Sequence, residues 1–136
     1  MAVSGEAMGD EIRLTLPHQS DFHGVAHLVV GGLAVRLNLT LETLEDLKLA
    51  LDELLDQPAA GEEVTVVLRV EADRIRARVG PLDGSALRAT LAQGDGDGIG
   101  LGRLLDTLAD DVAVVEEDGG QWAEVTKETT PAERRS

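Results

Sequence analysis

The chain contains no cysteine, so disulfide bonds, thiolate zinc sites and a cysteine nucleophile are all excluded. Aromatic residues are almost absent as well, because Phe22 and Trp122 are the only two. Proteins that hold single-stranded nucleic acid stack the bases on aromatic side chains, and this chain has no set of residues for such a platform. Any catalysis by this chain must therefore use carboxylates or histidine.

Positive charge is also scarce, with 12 Lys and Arg against 26 Asp and Glu and a formal net charge of −14. This charge repels phosphate backbones and anionic lipid and favours a basic protein partner, so we expect no direct binding to nucleic acid. The N-terminus lacks the basic and apolar segments of a signal peptide. The longest apolar run, 24–35, is interrupted by His27 and several glycines, so no membrane span is expected.

The 136 residues have the size of one ordinary domain. Alternating apolar side chains predict a first strand over 11–16. After it, Ser20 or Asp21 is expected to cap a helix whose apolar residues recur every three or four positions as far as Leu33.

The strongest helical pattern follows Asn38 and Thr40 and ends at Pro58. One stripe of this helix carries leucines at helical spacing, namely Leu44, Leu47, Leu51 and Leu54. The remaining predicted elements are, in order, strands over 64–70 and 74–79, a turn at 80–84, a helix over 85–93, a helix from the glycine run to about Ala109, and strands over 112–117 and 121–128. Two hairpins and helices on one side predict an α+β two-layer sandwich with a mixed, mostly antiparallel sheet.

A glycine run at 94–102, GDGDGIGLG, leads into the apolar sequence that follows. Glycines allow backbone N–H groups to approach a phosphate at the start of a helix, but alternating glycines are also typical of a hinge. Asp95 and Asp97 place negative charge beside the run and oppose phosphate binding. The histidine pair His23 and His27 has the i,i+4 spacing of metal ligands, but the sequence offers no third ligand, so a surface or half-buried pair is the simpler interpretation.

The order of elements, with LEDLKLALDELLDQ on the second helix and GIGLGRLLDTLADDVAVV after the glycines, resembles the GHKL superfamily of ATP-binding domains. Within it, the chain is similar to the bacterial anti-sigma factors with serine-protein kinase activity, the RsbW and SpoIIAB group. The resemblance covers residues 11–127 and implies the histidine kinase/HSP90-like ATPase fold. Residues 1–10 are then a disordered or extended N-terminus, and 128–136 are a charged tail.

The family carries an E-x-x-x-N signature on its second helix, in which the glutamate is a general base and the asparagine binds Mg²⁺. The resemblance implies that Glu53 is the catalytic residue and that Gln57 is the nucleotide-binding and metal-binding residue. A spacing of four puts both on one helical face. Gln57 has one methylene more than asparagine, however, and Mg²⁺ demands near-ideal octahedral geometry.

The family's next motif, D-x-G-x-G, supplies an aspartate that accepts a hydrogen bond from the adenine amino group. Here Val79 and Gly80 stand where the acid is expected, and Asp83 comes later. The glycine run matches the third motif, a lid over the phosphates, and implies that the nucleotide-binding residues there are Gly98, Ile99, Gly100, Leu101 and Gly102. A threonine that often precedes the family's last strand is absent from GGQW.

These matches and departures predict a bacterial, cytoplasmic, anti-sigma-factor-like regulator in transcription or stress response with a degenerate ATP site. Its implied partners are a sigma factor, a STAS-type anti-anti-sigma protein or both, and the resemblance also implies a homodimer. The alternative is an active serine-protein kinase that uses Mg-ATP and phosphorylates a STAS-type antagonist. A scaffold or small-ligand module unrelated to transcription is the third interpretation.

Overall fold

The computed structural model describes residues 2–6, 11–71, 73–92, 105, 108–117 and 119–129. Its elements are, in chain order, strand β1 (Ala2–Glu6), strand β2 (Glu11–Pro17), a 3-10 turn (Ser20–Phe22), helix α1 (His23–Leu37), helix α2 (Leu41–Leu55), strand β3 (Glu63–Val70), strand β4 (Arg74–Leu82), helix α3 (Gly84–Ala92), strand β5 (Asp111–Glu117) and strand β6 (Gly120–Glu128). Leu105 and Leu108 are also helical and buried.

The strands form one six-stranded sheet in the order β1-β2-β3-β4-β6-β5, and every pairing among these strands is antiparallel. The register aligns core residues across the four central strands, where Leu14, Val66, Val79 and Ala123 stand side by side. All four are buried. The predicted α+β class with a mostly antiparallel sheet is therefore confirmed.

Helices α1 and α2 cover one face of this sheet. The buried residues that they contribute to the core are Ala26, Val30 and Leu33 from α1 and Leu47, Ala50, Leu51, Leu54 and Leu55 from α2. On the opposite face, β4 carries arginines at alternate positions and β2 and β3 carry one arginine each. Several of them pair with acids, such as Arg69 with Glu11 at 2.9 Å and Arg78 with Glu124 at 3.2 Å. One apolar layer thus lies between helices and sheet, as a two-layer sandwich requires.

Local hydrogen bonds and backbone angles show where helices α1 and α2 begin and end. Thr40 caps α2, because its Oγ1 accepts a hydrogen bond from the Thr43 N–H at 3.2 Å. The predicted cap of α1 at Ser20 or Asp21 is wrong: both residues lie in the 3-10 turn, and Phe22 occupies the N-cap position without a side-chain hydrogen bond. At its other end α1 stops at Asn38, whose φ of 56° is left-handed.

The predicted turn at 80–84 is also wrong, because β4 continues through Leu82 and Gly80 pairs with Thr65 of β3. The pairing of β4 with β6 shifts register between Val79 and Leu82. Such an irregularity accommodates Pro81, which has no N–H to donate to the neighbouring strand.

The sheet gains a strand near the N-terminus that the sequence pattern does not predict, whereas its last strand ends at the predicted residue. Strand β1 pairs along β2 from Ala2 to Glu6. At the other end β6 reaches Glu128, and the Thr129 N–H donates to the Asp73 carbonyl oxygen at 2.9 Å. Within the described residues, no helix is long and apolar enough to cross a membrane.

Candidate functional site

Helix α2 carries the residue implied to be the general base. The leucine stripe of α2 is turned toward the sheet, which leaves Glu53 half-buried on the flank of the helix. Burial raises the pKa of the Glu53 carboxyl, and the neighbouring charges of Asp56 and Asp52 raise it further. A carboxyl whose pKa is raised holds a proton more readily, as a general base must. Its catalytic role stays a prediction.

The implied metal ligand, Gln57, lies just beyond the end of α2. Its side-chain Nε2 donates to the backbone carbonyl of Glu53 at 3.1 Å, so the amide group is held against the last turn of the helix. The prediction that Pro58 ends the helix is confirmed, because α2 stops at Leu55. Binding of Mg²⁺ by Gln57 stays a prediction, and the described residues include no group of three or more His, Asp or Glu that could hold a metal ion.

His18 holds the same end of the helix from the loop after β2. Its Nε2 lies 3.1 Å from the Leu55 carbonyl oxygen and 2.9 Å from the Gln57 carbonyl oxygen. Since carbonyl oxygens only accept, His18 donates from Nε2 and satisfies carbonyls that a helix end leaves unpaired. Sequence reasoning missed this role because His18 and Gln57 are far apart along the chain.

The other two histidines contact α2 from α1. The Nε2 of His27 donates to Asp52 Oδ1 at 2.7 Å. His23 lies at ion-pair distance only, with its Nδ1 3.8 Å from Asp52 and its Nε2 3.9 Å from Asp56. All three histidines of the chain therefore surround the turn that holds Glu53 and Gln57, and their contacts fix its position against α1 and the β2 loop.

The two residues at the position of the implied adenine anchor leave no room for a carboxylate. Val79 is 0% exposed and belongs to the main core. Gly80 lies under the indole of Trp122, where an added Cβ would be 2.5 Å from Trp122 Cδ2. The later acid, Asp83, accepts a hydrogen bond from the Ala86 N–H at 3.2 Å at the start of α3.

A short backbone pairing joins the end of α2 to the end of β4. The Ala60 N–H donates to the Pro81 oxygen at 3.1 Å, and the Asp83 N–H donates to the Pro58 oxygen at 2.9 Å. Between these bonds Ala59 and Leu82 form an antiparallel bridge. We call residues 58–60 and 81–83 the seam. The Leu82 side chain is 2% exposed, so the seam is filled on its inner side by an apolar group.

The glycine lid predicted at Gly98, Ile99, Gly100, Leu101 and Gly102 lies outside the described residues. Its contact with a phosphate stays a prediction. The site that the structure does describe consists of Glu53 and Gln57 on one side and the seam on the other.

Comparison with known proteins identifies relatives. No family model matches the chain. It is 34% identical to the serine-protein kinase RsbW of Halalkalibacterium halodurans, with 81% of this chain and 78% of the relative covered. It is 30% identical to the serine-protein kinase RsbW of Listeria innocua, with 82% and 83% covered.

A solved structure agrees in fold. The crystal structure of the RsbU and RsbW domains of a Mycobacterium tuberculosis protein matches 90% of this chain and 33% of that chain, with a TM-score of 0.60 and 14% identity. At this identity the match concerns the fold alone. Fold and sequence relationship thus agree with the resemblance stated above.

Proposed function

This chain belongs to the RsbW family of serine-protein kinases, and we propose that it is a cytoplasmic anti-sigma-factor-like regulator that acts by binding a protein and not by transferring phosphate. Its partner is a sigma factor, a STAS-type antagonist of the regulator, or both. The observation that carries the proposal is the buried, apolar state of Val79 and Leu82, at the place where a nucleotide-binding relative needs a carboxylate and a cleft.

The seam supports loss of the adenine site. Its two backbone hydrogen bonds join the chain after α2 directly to the end of β4, and Leu82 occupies the inner side. A purine ring would need to displace both the side chain and the main-chain bonds. Each buried N–H or carbonyl left unpaired costs about 1–3 kcal/mol. No carboxylate is present at Val79 or Gly80 to offset this cost with a hydrogen bond to the purine.

The residue at the implied magnesium position also fits the metal poorly. Gln57 replaces an asparagine, and its amide nitrogen already donates to the Glu53 carbonyl. The residues present therefore do not fit a magnesium nucleotide, and no step of the proposed function passes through one. The chain does carry a formal net charge of −14, which suits a partner of opposite charge.

One experiment tests the proposal. The tagged full chain and its Glu53→Ala variant are used to recover partners from the native cell, with and without Mg-ATP. We expect both proteins to retain the same sigma factor or STAS-type protein, identified by mass spectrometry, with equal yield under both conditions. Recovery that needs Mg-ATP, or phosphorylation of a serine in the recovered partner, would overturn it, as would recovery of neither class of protein.

The raised pKa of Glu53 favours the alternative of an active kinase, because a base of this kind is what phosphorylation of a serine hydroxyl requires. Isothermal titration separates the two. The proposal expects no heat of binding with Mg-ATP, whereas micromolar affinity that is lost in Gly100→Val would support the kinase and count against a degenerate site.

A further inference from the structure

Strand β5 is an edge of the sheet whose outer side pairs with no other strand of the described chain. Within the described residues it pairs with β6 alone. None of its residues is buried, whereas four of their partners on β6 are. In an antiparallel pair, the backbone N–H and C=O groups of alternate residues point away from the partner strand. As far as the described chain extends, these groups of β5 can therefore pair with an added strand.

Strand β5 lacks the features that usually protect an edge from pairing. Natural edge strands are often short, bulged, or interrupted by lysine or proline. The sequence of β5, DVAVVEE, contains no lysine, proline or glycine. Its register with β6 runs from Asp111 to Glu117 without a shift. Such an edge remains a template for strand addition.

The middle of β5 is apolar on both faces. Val112 and Val114 pack against the core on the side of the helices. Ala113 and Val115 alternate with them on the other side of the sheet. All four are half-buried. An added strand would therefore cover apolar surface on both sides while it hydrogen-bonds to the edge.

Acidic side chains stand at both ends of this apolar middle. Asp110 and Asp111 precede it, and Glu116 and Glu117 follow it. All of these except Glu117 are exposed. In a strand, the five steps from Asp111 to Glu116 span about 17 Å. A segment that matches both ends must therefore carry its own charges at the same separation.

Most of these acids have no cation beside them. Among the described residues, Glu117 is the one that pairs with a cationic side chain, Arg78. Asp110 and Glu116 accept hydrogen bonds from neutral groups, which leaves their charge uncompensated. The ends of β5 therefore attract positive charge from outside the described chain.

These charges select the occupant of the edge. A second copy is disfavoured, because β5 against β5 places Asp111 beside Asp111 in a parallel pair and beside Glu117 in a centred antiparallel pair. A segment with Lys or Arg at each end and apolar residues between them places opposite charges together in either direction. The net charge of −14 favours the same basic occupant.

We propose that β5 is the docking edge for an extended segment of a protein partner, which carries basic residues at both ends of an apolar middle. The segment adds to the six-stranded sheet beside β5. This inference rests on the proposed function for the existence of a protein partner. It adds the place of docking and the chemistry of the segment that docks.

Synthetic peptides test the edge in the full chain. The probe has two Lys or Arg residues at each end and alternating valine and threonine between them, and NMR follows the chemical shifts and amide exchange of the labelled protein. We expect binding at about 1 mM or tighter, shift changes centred on β5, and slower exchange of alternate β5 amides. Two matched peptides bind about tenfold more weakly or worse: one with glutamate in place of each basic residue, and one whose central residues are N-methylated and cannot donate backbone hydrogen bonds.

Several results of this titration overturn the proposal. They are equal binding of the basic and the glutamate peptides, shift changes centred on another element, and no binding of the basic peptide at millimolar concentration. Slow exchange of alternate β5 amides before any peptide is added also overturns it, because a second copy or another segment of the chain would then already cover the edge.

Paired charge reversals separate the charges at β5 from the net charge. The β5 variant carries Asp111→Lys and Glu116→Lys, and the matched α2 variant carries Glu42→Lys and Glu45→Lys; all four residues are exposed, and both variants change the net charge equally. We expect the β5 variant to bind the basic peptide about tenfold more weakly and the α2 variant to bind it within about twofold of the parent chain. Equal weakening in both variants would assign the binding to net charge alone and overturn the proposal.

Recovery of partners from the native cell separates this inference from the proposed function. We expect the parent chain and the α2 variant to recover a sigma factor or a STAS-type protein, and the β5 variant to lose most of it. Equal recovery by the β5 variant would show that the docking edge is wrong while the proposed function stands. Recovery of neither class by the parent chain overturns the proposed function, and the peptide titration then decides whether β5 accepts a strand.

Discussion

Restoring the acid of the D-x-G-x-G motif at Val79 is expected to damage the fold without restoring a nucleotide site. In the sheet register Val79 stands between Val66 of β3 and Ala123 of β6, and its side chain is 0% exposed. A carboxylate introduced by Val79→Asp would point into this apolar layer. Neither of these two neighbours offers a hydrogen-bond donor from its side chain.

The expected loss of stability in Val79→Asp has two parts. Removing the buried valine side chain costs about 2 kcal/mol of apolar burial. Burying a polar group without a hydrogen bond costs at least about 2 kcal/mol more. The total of about 4 kcal/mol is a large part of the roughly 5–15 kcal/mol that typically stabilises a domain. Val79→Ala, which suffers only the first loss, is the matched control.

Urea denaturation followed by fluorescence measures this difference, since Trp122 is the single tryptophan of the chain. Burial raises the pKa of the introduced carboxyl, so the folded variant binds a proton that the unfolded chain releases. Its free energy of unfolding relative to Val79→Ala therefore falls as the pH rises from about 4 to about 7.

The reasoning fails if Val79→Asp is as stable as Val79→Ala at neutral pH. It fails more completely if the same variant gains a heat of binding with Mg-ATP, because a carboxylate at this position would then be able to reach a base. Either result would mean that the layer between β4 and the helices opens more easily than its burial suggests.

Three further predictions use the same denaturation assay. Gly80→Ala places a methyl group against the ring of Trp122 and is expected to cost about 1–3 kcal/mol; an unchanged midpoint would show that the ring moves freely. Thr40→Ala removes the acceptor of the Thr43 N–H and is expected to cost about 1 kcal/mol, whereas Thr40→Ser retains most of the stability. Glu53→Gln is expected to stabilise the protein near pH 7, because a pKa that is raised in the folded state makes stability fall as the pH rises. The same substitution is expected to have little effect near pH 4, where the carboxyl is largely protonated in the folded and the unfolded chain alike. Equal effects at both pH values would contradict the burial of this carboxyl.

The elements with regular periodicity were predictable from the sequence. The leucines of α2 repeat at helical spacing, and the residues of β3 and β4 alternate, so local pattern and tertiary burial agree. Strand β1 has no such alternation, and its pairing with β2 defines it. The segment 80–82 has the Gly-Pro sequence of a turn, yet its burial and its register with β3 keep it in the sheet.

The candidate site was predictable only in part. Glu53 and Gln57 could be identified through the resemblance to the family's E-x-x-x-N signature, although Gln57 lies just beyond the end of α2. The contacts that fix them come from residues far away in sequence, such as His18 on the loop after β2 and His27 on α1. The sequence showed the histidines and Asp52 but not their proximity, since the packing of α1 against α2 brings them together.

The seam has a consequence for how this protein could change in the course of evolution. Its two hydrogen bonds join main-chain atoms of 58–60 and 81–83, and every amino acid except proline supplies the same donor and acceptor. Single substitutions therefore alter side chains around the seam but leave the connection in place. Opening a cavity between 58–60 and 81–83 would therefore require the insertion or deletion of residues and not single substitutions.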